Sequence, residues 1–213
     1  MPELPQVAGP LLLAIAREAI AARVGVPDPR FRTPDASPGA RPGSTAHLED
    51  ENAHPWLDTP GAAFVTLTQQ GALRGCIGSL TAYRPLREDV ADNAVNAALR
   101  DPRFPPLSAR ELAETRIEVS VLSEPEPYPF THRADAVSGL RPGVDGLILE
   151  YGSHRGTFLP QVWESLPDKL QFLTQLKLKA GLPADFRTGR CRVLRYRVMK
   201  WKQSQFDPMR QGQ

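Results

Sequence analysis

Cysteine is scarce in this 213-residue chain: Cys76 and Cys191 are the only two. With so few thiols a disulfide framework is not expected, and a reducing compartment is the default. Neither cysteine belongs to a C-x-x-C pair, which excludes a self-contained thioredoxin-like dithiol. Histidine is nearly as rare. His47, His54, His132 and His154 are scattered, without an H-E-x-x-H motif or a close His/Cys pair, so neither a protein metal site nor a cofactor is expected. An excess of one charge is also missing, since 26 Lys and Arg against 24 Asp and Glu leave +2. Bulk electrostatics therefore gives no reason to expect nucleic-acid binding. Long apolar runs are absent too. Leu11 to Ile20 is interrupted by Arg17 and Glu18, too short and too charged for a membrane span, and it lacks a signal-peptide layout. A cytoplasmic location is the expectation.

Proline and glycine, at 22 and 16 residues, are plentiful, while 41% hydrophobic and 23% charged content suits a globular chain. Residues 26–61 hold Pro27, Pro29, Pro34, Pro38, Pro42, Pro55 and Pro60. They read as a long loop whose end, His54-Pro55-Trp56-Leu57, packs down. Ahead of that loop, Leu11, Leu12, Ile15, Ala19, Ala22 and Val24 recur at helical spacing behind Pro10. Ala63 to Thr68, the turn Gln69-Gln70-Gly71 and Ala72 to Leu80 predict a β-hairpin. Leu86, Val90, Ala94, Ala97 and Ala98 line one side of a helix, and Ser108 to Glu111 has capping-box form. Strands are expected at Ile117–Leu122, Gly146–Tyr151, Gly156–Leu159 and Arg190–Trp201. A short helix is expected near Arg133 to Gly139, and a longer one between Asp168 and Gly181.

The stretch with most chemistry is Leu73-Arg74-Gly75-Cys76-Ile77-Gly78-Ser79, on the returning strand of the hairpin. Glycine is a poor strand residue unless a bulge or a close backbone approach requires it. Period-two alternation puts Arg74, Cys76 and Gly78 on one face. Cys76 reads either as a small buried hydrophobe or as a reachable thiolate stabilised by Arg74, about 7 Å away by the rise per residue. Glu118 sits mid-strand, where a carboxylate is costly unless paired. It reads as the partner of Arg74 or Arg103, or as a general acid or base with Ser120 beside it on the same face. Asp101 and Arg103 follow a helix end and read as braces or as ligand contacts. Asn93 reads as a cap over the site or as a solvent-facing residue. The glycines match neither a dinucleotide fingerprint nor a P-loop. The basic run Arg187, Arg190, Arg192, Arg195, Arg197, Lys200 and Lys202, interleaved with Tyr196 and Trp201, reads as edge protection or as a nucleic-acid contact.

Leu73-Arg74-Gly75-Cys76-Ile77-Gly78 resembles the hallmark hexapeptide of the AMMECR family, also known as AmmeMemoRadiSam system protein A. Asp101-Pro102-Arg103-Phe104, Glu118 to Leu122, Pro142 to Gly146, Phe158 to Val162 and Lys179 to Pro183 extend the likeness from about Ala62 to about Tyr196. Two features depart from the family pattern, the long proline-rich loop before Gly61 and a C-terminus without an acidic ending. The resemblance implies an α/β (α+β) fold, one domain of two unequal lobes, with mixed or antiparallel sheets packed by helices around a cleft. Residues 1–123 with 190–213 would make the larger lobe and 124–189 the smaller. It also implies a Memo-type protein and a radical S-adenosylmethionine enzyme as partners, in an accessory or substrate-handling role. The site expected on these grounds has Cys76 and Glu118 at its centre, with Arg74, Gly75, Gly78, Asp101, Arg103 and Ser120 as ligand contacts. A stand-alone enzyme using Cys76 as nucleophile or redox thiol is the rival, and a nucleic-acid adaptor a third reading.

Overall fold

The structure, a computed structural model, describes residues 4–25, 54–128, 137–187 and 190–203. In chain order its elements are α1 (Ala8–Val24), β1 (Pro60–Gln69), β2 (Ala72–Gly78), β3 (Arg84–Pro85), α2 (Leu86–Leu99), α3 (Ala109–Leu112) and β4 (Arg116–Leu122). There follow β5 (Glu126–Pro127), β6 (Gly146–Tyr151), β7 (His154–Phe158), α4 (Lys169–Lys179), β8 (Arg192–Tyr196) and β9 (Val198–Lys202). The chain divides into two compact units, Pro2–Val121 with Lys200–Gln213, and Leu122–Met199. Residues 190–199 thus belong with the smaller unit, where the sequence reading assigns 190–213 to the larger lobe.

In the larger unit a five-stranded sheet runs β2-β1-β4-β9, with β3 also paired to β1. The hairpin forms because Gln70 and Gly71 both take positive φ, 51° and 84°, the conformation a two-residue turn needs. α2 packs on β1 and β2, and α1 packs on α2. Between them Leu12, Ile20, Val65, Leu67, Leu86, Val90, Ile117 and Val119 are buried. α2 buries the apolar stripe expected of it. In α1 the buried residues include Leu12, Leu13, Ala16, Ile20 and Ala21, so of the expected Leu11, Leu12, Ile15, Ala19, Ala22 and Val24 only Leu12 is buried. Arg17 is also among the buried residues and is 1% exposed. Its guanidinium donates to the carbonyls of Leu112 and Thr115 and to Gln203 Oε1, which ties α1 to α3 and to the chain's last described residue.

The smaller unit holds an antiparallel four-stranded sheet in the order β5-β8-β6-β7. Its core gathers Leu147, Leu149, Trp163, Phe172, Leu176 and Val193, with Cys191 against it. Trp163 stacks on Phe172 at 3.7 Å between ring centroids and donates Nε1–H to the Asp145 carbonyl. α4 starts at Asp168, whose carboxylate accepts from Gln171 N, and Gly181 at φ 79° follows its end. The Asp168 cap stands where the sequence puts it, while the C-cap is Ala180, one residue before the expected Gly181.

The single strand expected over Arg190–Trp201 is two. β8 and β9 are separated at Arg197 and lie in different sheets. The break is fixed by Ser123, which donates its N–H to Arg197 O and accepts from Arg197 N. β8 is flanked by β5 and β6, so its arginines do not guard a free edge. The expected helix near Arg133 to Gly139 falls mostly outside the described residues, as does the proline-rich loop from 26 to 53. At the loop's end Leu57 is buried, as expected.

Candidate functional site

On β2, Cys76 lies opposite Thr66 of β1 and Gly78 opposite Phe64. The Cys76 thiol and the Thr66 hydroxyl meet at 3.3 Å, so both project from the same face. Val65 and Leu67, which alternate with Thr66, are fully buried. Cys76 therefore projects from the sheet face opposite the helices, called here the open face, and is half-buried. The two glycines serve different purposes. A Cβ on Gly75 would fall on the backbone carbonyl of Ala97 in α2, while one on Gly78 would enter the ring of Phe64. Gly75 thus lets α2 approach the strand, and Gly78 leaves the Phe64 ring lying across it as a floor.

Arg74 does not share the face of Cys76. The register slips between Leu67 and Thr68, which pair with Gly75 and Leu73, so Arg74 has no residue opposite it on β1. This is a β-bulge, and a bulge breaks the period-two rule. The Arg74 side chain, largely buried, runs to Glu111 of α3 at 3.1 Å. Glu111 also closes the capping box by accepting from Ser108 N and Oγ. Those bonds, with the Arg74 guanidinium, pull the Glu111 carboxyl down to about 2.

The guanidinium beside Cys76 belongs instead to Arg103. Asp101, 3% exposed, accepts the Cys76 backbone N–H at 2.8 Å and three donors of Arg103: its backbone N–H, Nε and Nη2. Arg103 Nη2 also donates to the Cys76 carbonyl at 3.1 Å. The Arg103 hydrogen bonds, with the Cys76 N–H, hold the Asp101 carboxyl well below the usual carboxylate range. Asp101, with a smaller contribution from Cys76, raises the Arg103 guanidinium above its ordinary value.

Glu118 pairs with neither Arg74 nor Arg103. Its partner is Lys202 of β9 at 3.1 Å. Ile117, Val119 and Val121 of β4 are buried on the helix side, which leaves Glu118 and Ser120 on the open face with Cys76. Gln69, at the end of β1, donates to Thr115 just before β4. β4, the neighbour of β1 in the sheet, therefore runs back along it from this end. Ser120 is 7% exposed, yet its hydroxyl has no hydrogen-bond partner among the described residues.

Asn93 neither covers the site nor faces water. It is buried and donates to Ala63 O, Ser79 Oγ and Asp89 Oδ2. Asp89, fully buried, accepts from Ala63 N, Ser79 Oγ and Arg84, so this cluster anchors the start of α2 to the hairpin. The sequence reading assigns Thr66, Lys202 and Asp89 no part in the site: Thr66 stands there only as a strand residue, Lys202 only in the basic run, and Asp89 not at all. The described residues contain no group of three or more His, Cys, Asp or Glu placed to hold a metal ion, and none of their helices is long and apolar enough to cross a membrane. Burial pushes the Cys191 thiol up.

A family model described as AMMECR1 matches residues 40–201. A protein of Methanothermobacter thermautotrophicus is 46% identical over 141 residues, 63% of this chain and 71% of its own length. One of Sulfolobus acidocaldarius is 45% identical over 142 residues, 64% of this chain and 63% of its own. The crystal structure of an uncharacterised protein of Pyrococcus horikoshii matches with a TM-score of 0.65 at 31% identity, covering 91% of this chain and 90% of that one. The mixed helix and antiparallel-sheet fold is the one that protein shows.

Proposed function

The chain belongs to the AMMECR1 family, and from that premise we propose that it is a binding component, which presents a ligand or a partner surface around Cys76 and works with a Memo-type protein and a radical S-adenosylmethionine enzyme. One observation carries the choice of binding over self-contained catalysis. A nucleophilic cysteine needs a positioned base, and the thiol of Cys76 has a hydroxyl, Thr66, as its hydrogen-bond partner. The nearby carboxylate of Asp101 is already committed to the Cys76 N–H and to Arg103. Glu118 is engaged by Lys202. What the open face offers is shape and hydrogen bonding: a glycine step, an aromatic floor, two hydroxyls and two ion pairs.

The nucleic-acid reading gains no such support. Arg192 is paired to Glu150, Arg195 lies over the Tyr128 ring, and Lys202 is in the other sheet with Glu118. The basic run is therefore divided rather than a stripe. The test is co-purification of the full chain with the Memo-type and radical S-adenosylmethionine proteins of its own genome. Wild type is expected to retain at least one of them. Arg103→Gln and Glu118→Gln, checked for intact secondary structure by circular dichroism, are expected to lose it. Retention of neither protein by the wild type contradicts the reading.

A further inference from the structure

We propose that the open face carries a site for a small anion, a carboxylate or a phosphate, held by Nη1 of Arg103 beside Cys76, the rest of the ligand extending across Phe64 toward Ser120. This rests on the reading of that face as a binding surface and names what it binds. Asp101 and Cys76 O occupy Nε and Nη2 of Arg103, while Nη1 has no hydrogen-bond partner among the described residues. The Arg103 side chain is 52% exposed, whereas its Asp101 partner is 1% exposed. Asp101 thus fixes the guanidinium from the buried side and leaves Nη1 unengaged. A guanidinium held in this way donates to a carboxylate or phosphate oxygen without a further loss of side-chain freedom.

Ser120 supplies a second polar group on the face. Its hydroxyl has no hydrogen-bond partner among the described residues and keeps contact with solvent, so it is open to a ligand. Two strand spacings separate β2 from β4, about 10 Å, with the Phe64 ring across Gly78 on the strand between. The charges on the face agree with an anion. Arg103 is balanced by Asp101 and Lys202 by Glu118. Lys200, on the same face as Lys202 by strand alternation and exposed, has no ion-pair partner among the described residues.

The experiment compares alkylation of Cys76 by iodoacetate and by iodoacetamide on the full chain, read by mass spectrometry, with Cys191 and glutathione as references. In both reactions the thiolate displaces iodide and a sulfur–carbon bond forms, but only iodoacetate carries a negative charge. The expected result is an iodoacetate preference at Cys76 about tenfold above that of glutathione, in the range a focused positive site produces. It saturates with iodoacetate concentration and is suppressed by acetate or by inorganic phosphate, the stronger competitor identifying the class. Arg103→Gln removes the preference. Ser120→Ala, which leaves the Asp101 hydrogen bonds untouched, weakens competition by ligands long enough to span the floor. If iodoacetamide labels Cys76 without any iodoacetate preference, the anion site is wrong and the binding face stands. If neither reagent labels Cys76, both fall.

Discussion

Asp101 accepts the backbone N–H of Cys76 at 2.8 Å, standing where the carbonyl of a neighbouring strand would stand. β2 is the first strand of its sheet, and an edge strand exposes unpaired backbone groups. Arg103 completes the substitution by donating to the Cys76 carbonyl. Two side chains from one loop thus close the sheet edge at the residue whose thiol faces outward. This explains why a Cys and an Asp-Pro-Arg segment far apart in sequence act as one structural unit.

Because Arg103 rather than Arg74 neighbours the thiol, the two arginines separate experimentally. Arg74→Ala is expected to leave the rate of Cys76 alkylation by iodoacetate within about twofold of wild type. Arg103→Gln is expected to lower it by about tenfold. Equal effects from both variants would restore the simple alternation that the bulge overturns.

Gly75→Ala tests the close approach of α2. The added methyl would meet a backbone carbonyl, Ala97 O, which cannot rotate away as a side chain can. Overpacking of this kind costs about 1–3 kcal/mol, and the urea midpoint is expected to fall accordingly. Gly71→Ala meets no neighbouring atom but sits at φ 84°, so its penalty is conformational and smaller, about 1 kcal/mol. A larger loss at Gly71 than at Gly75 would refute the packing argument.

Glu111 predicts an acid dependence. Its carboxyl is lowered from the usual 4.5 to about 2 by Ser108 and Arg74. The folded state therefore binds this proton less readily than the unfolded chain, and the stabilisation is fully present above pH 4.5. It is lost as pH falls toward about 2. Glu111→Gln is expected to flatten that part of the stability-against-pH curve measured by urea unfolding; an unchanged curve would show that Glu111 is not the group responsible.

Arg17→Met asks whether the buried guanidinium is structural. Truncation leaves the Thr115 carbonyl without its buried donor, while the Leu112 carbonyl keeps the Thr115 N–H, and an unsatisfied buried group costs about 1–3 kcal/mol. Thermal unfolding is expected several degrees lower, with Cys76 labelling unchanged at room temperature. A rise in stability would show that the methionine packs better than the hydrogen bonds hold.

Much of the fold was legible because its signals are local. The Gln70-Gly71 turn, the Leu86-to-Ala98 stripe, the Ser108–Glu111 box and the Asp168 cap each depend on residues a few positions apart. The site was half legible for the opposite reason. Cys76, Glu118 and Ser120 do share a face, but the side-chain partners that define them are remote: Lys202 lies 84 positions from Glu118 in sequence, and Asp101 lies 25 from Cys76. The bulge at Arg74 could not be read because it is a property of two strands, and a one-residue slip turns a side chain to the other face. The division of the last strand escaped for the same reason. Alternation continues through Arg197, and only the pairing with Ser123 marks the break.

The most direct test of the binding account is a footprint on Cys76. N-ethylmaleimide labelling of Cys76 would be timed on the free chain and on the chain with saturating Memo-type and radical S-adenosylmethionine proteins, with Cys191 read in parallel. The account predicts that complex formation slows labelling of Cys76 by at least about tenfold, as burial in a packed interface does, and leaves Cys191 unaffected. A stable complex in which Cys76 is labelled as fast as in the free chain would contradict it.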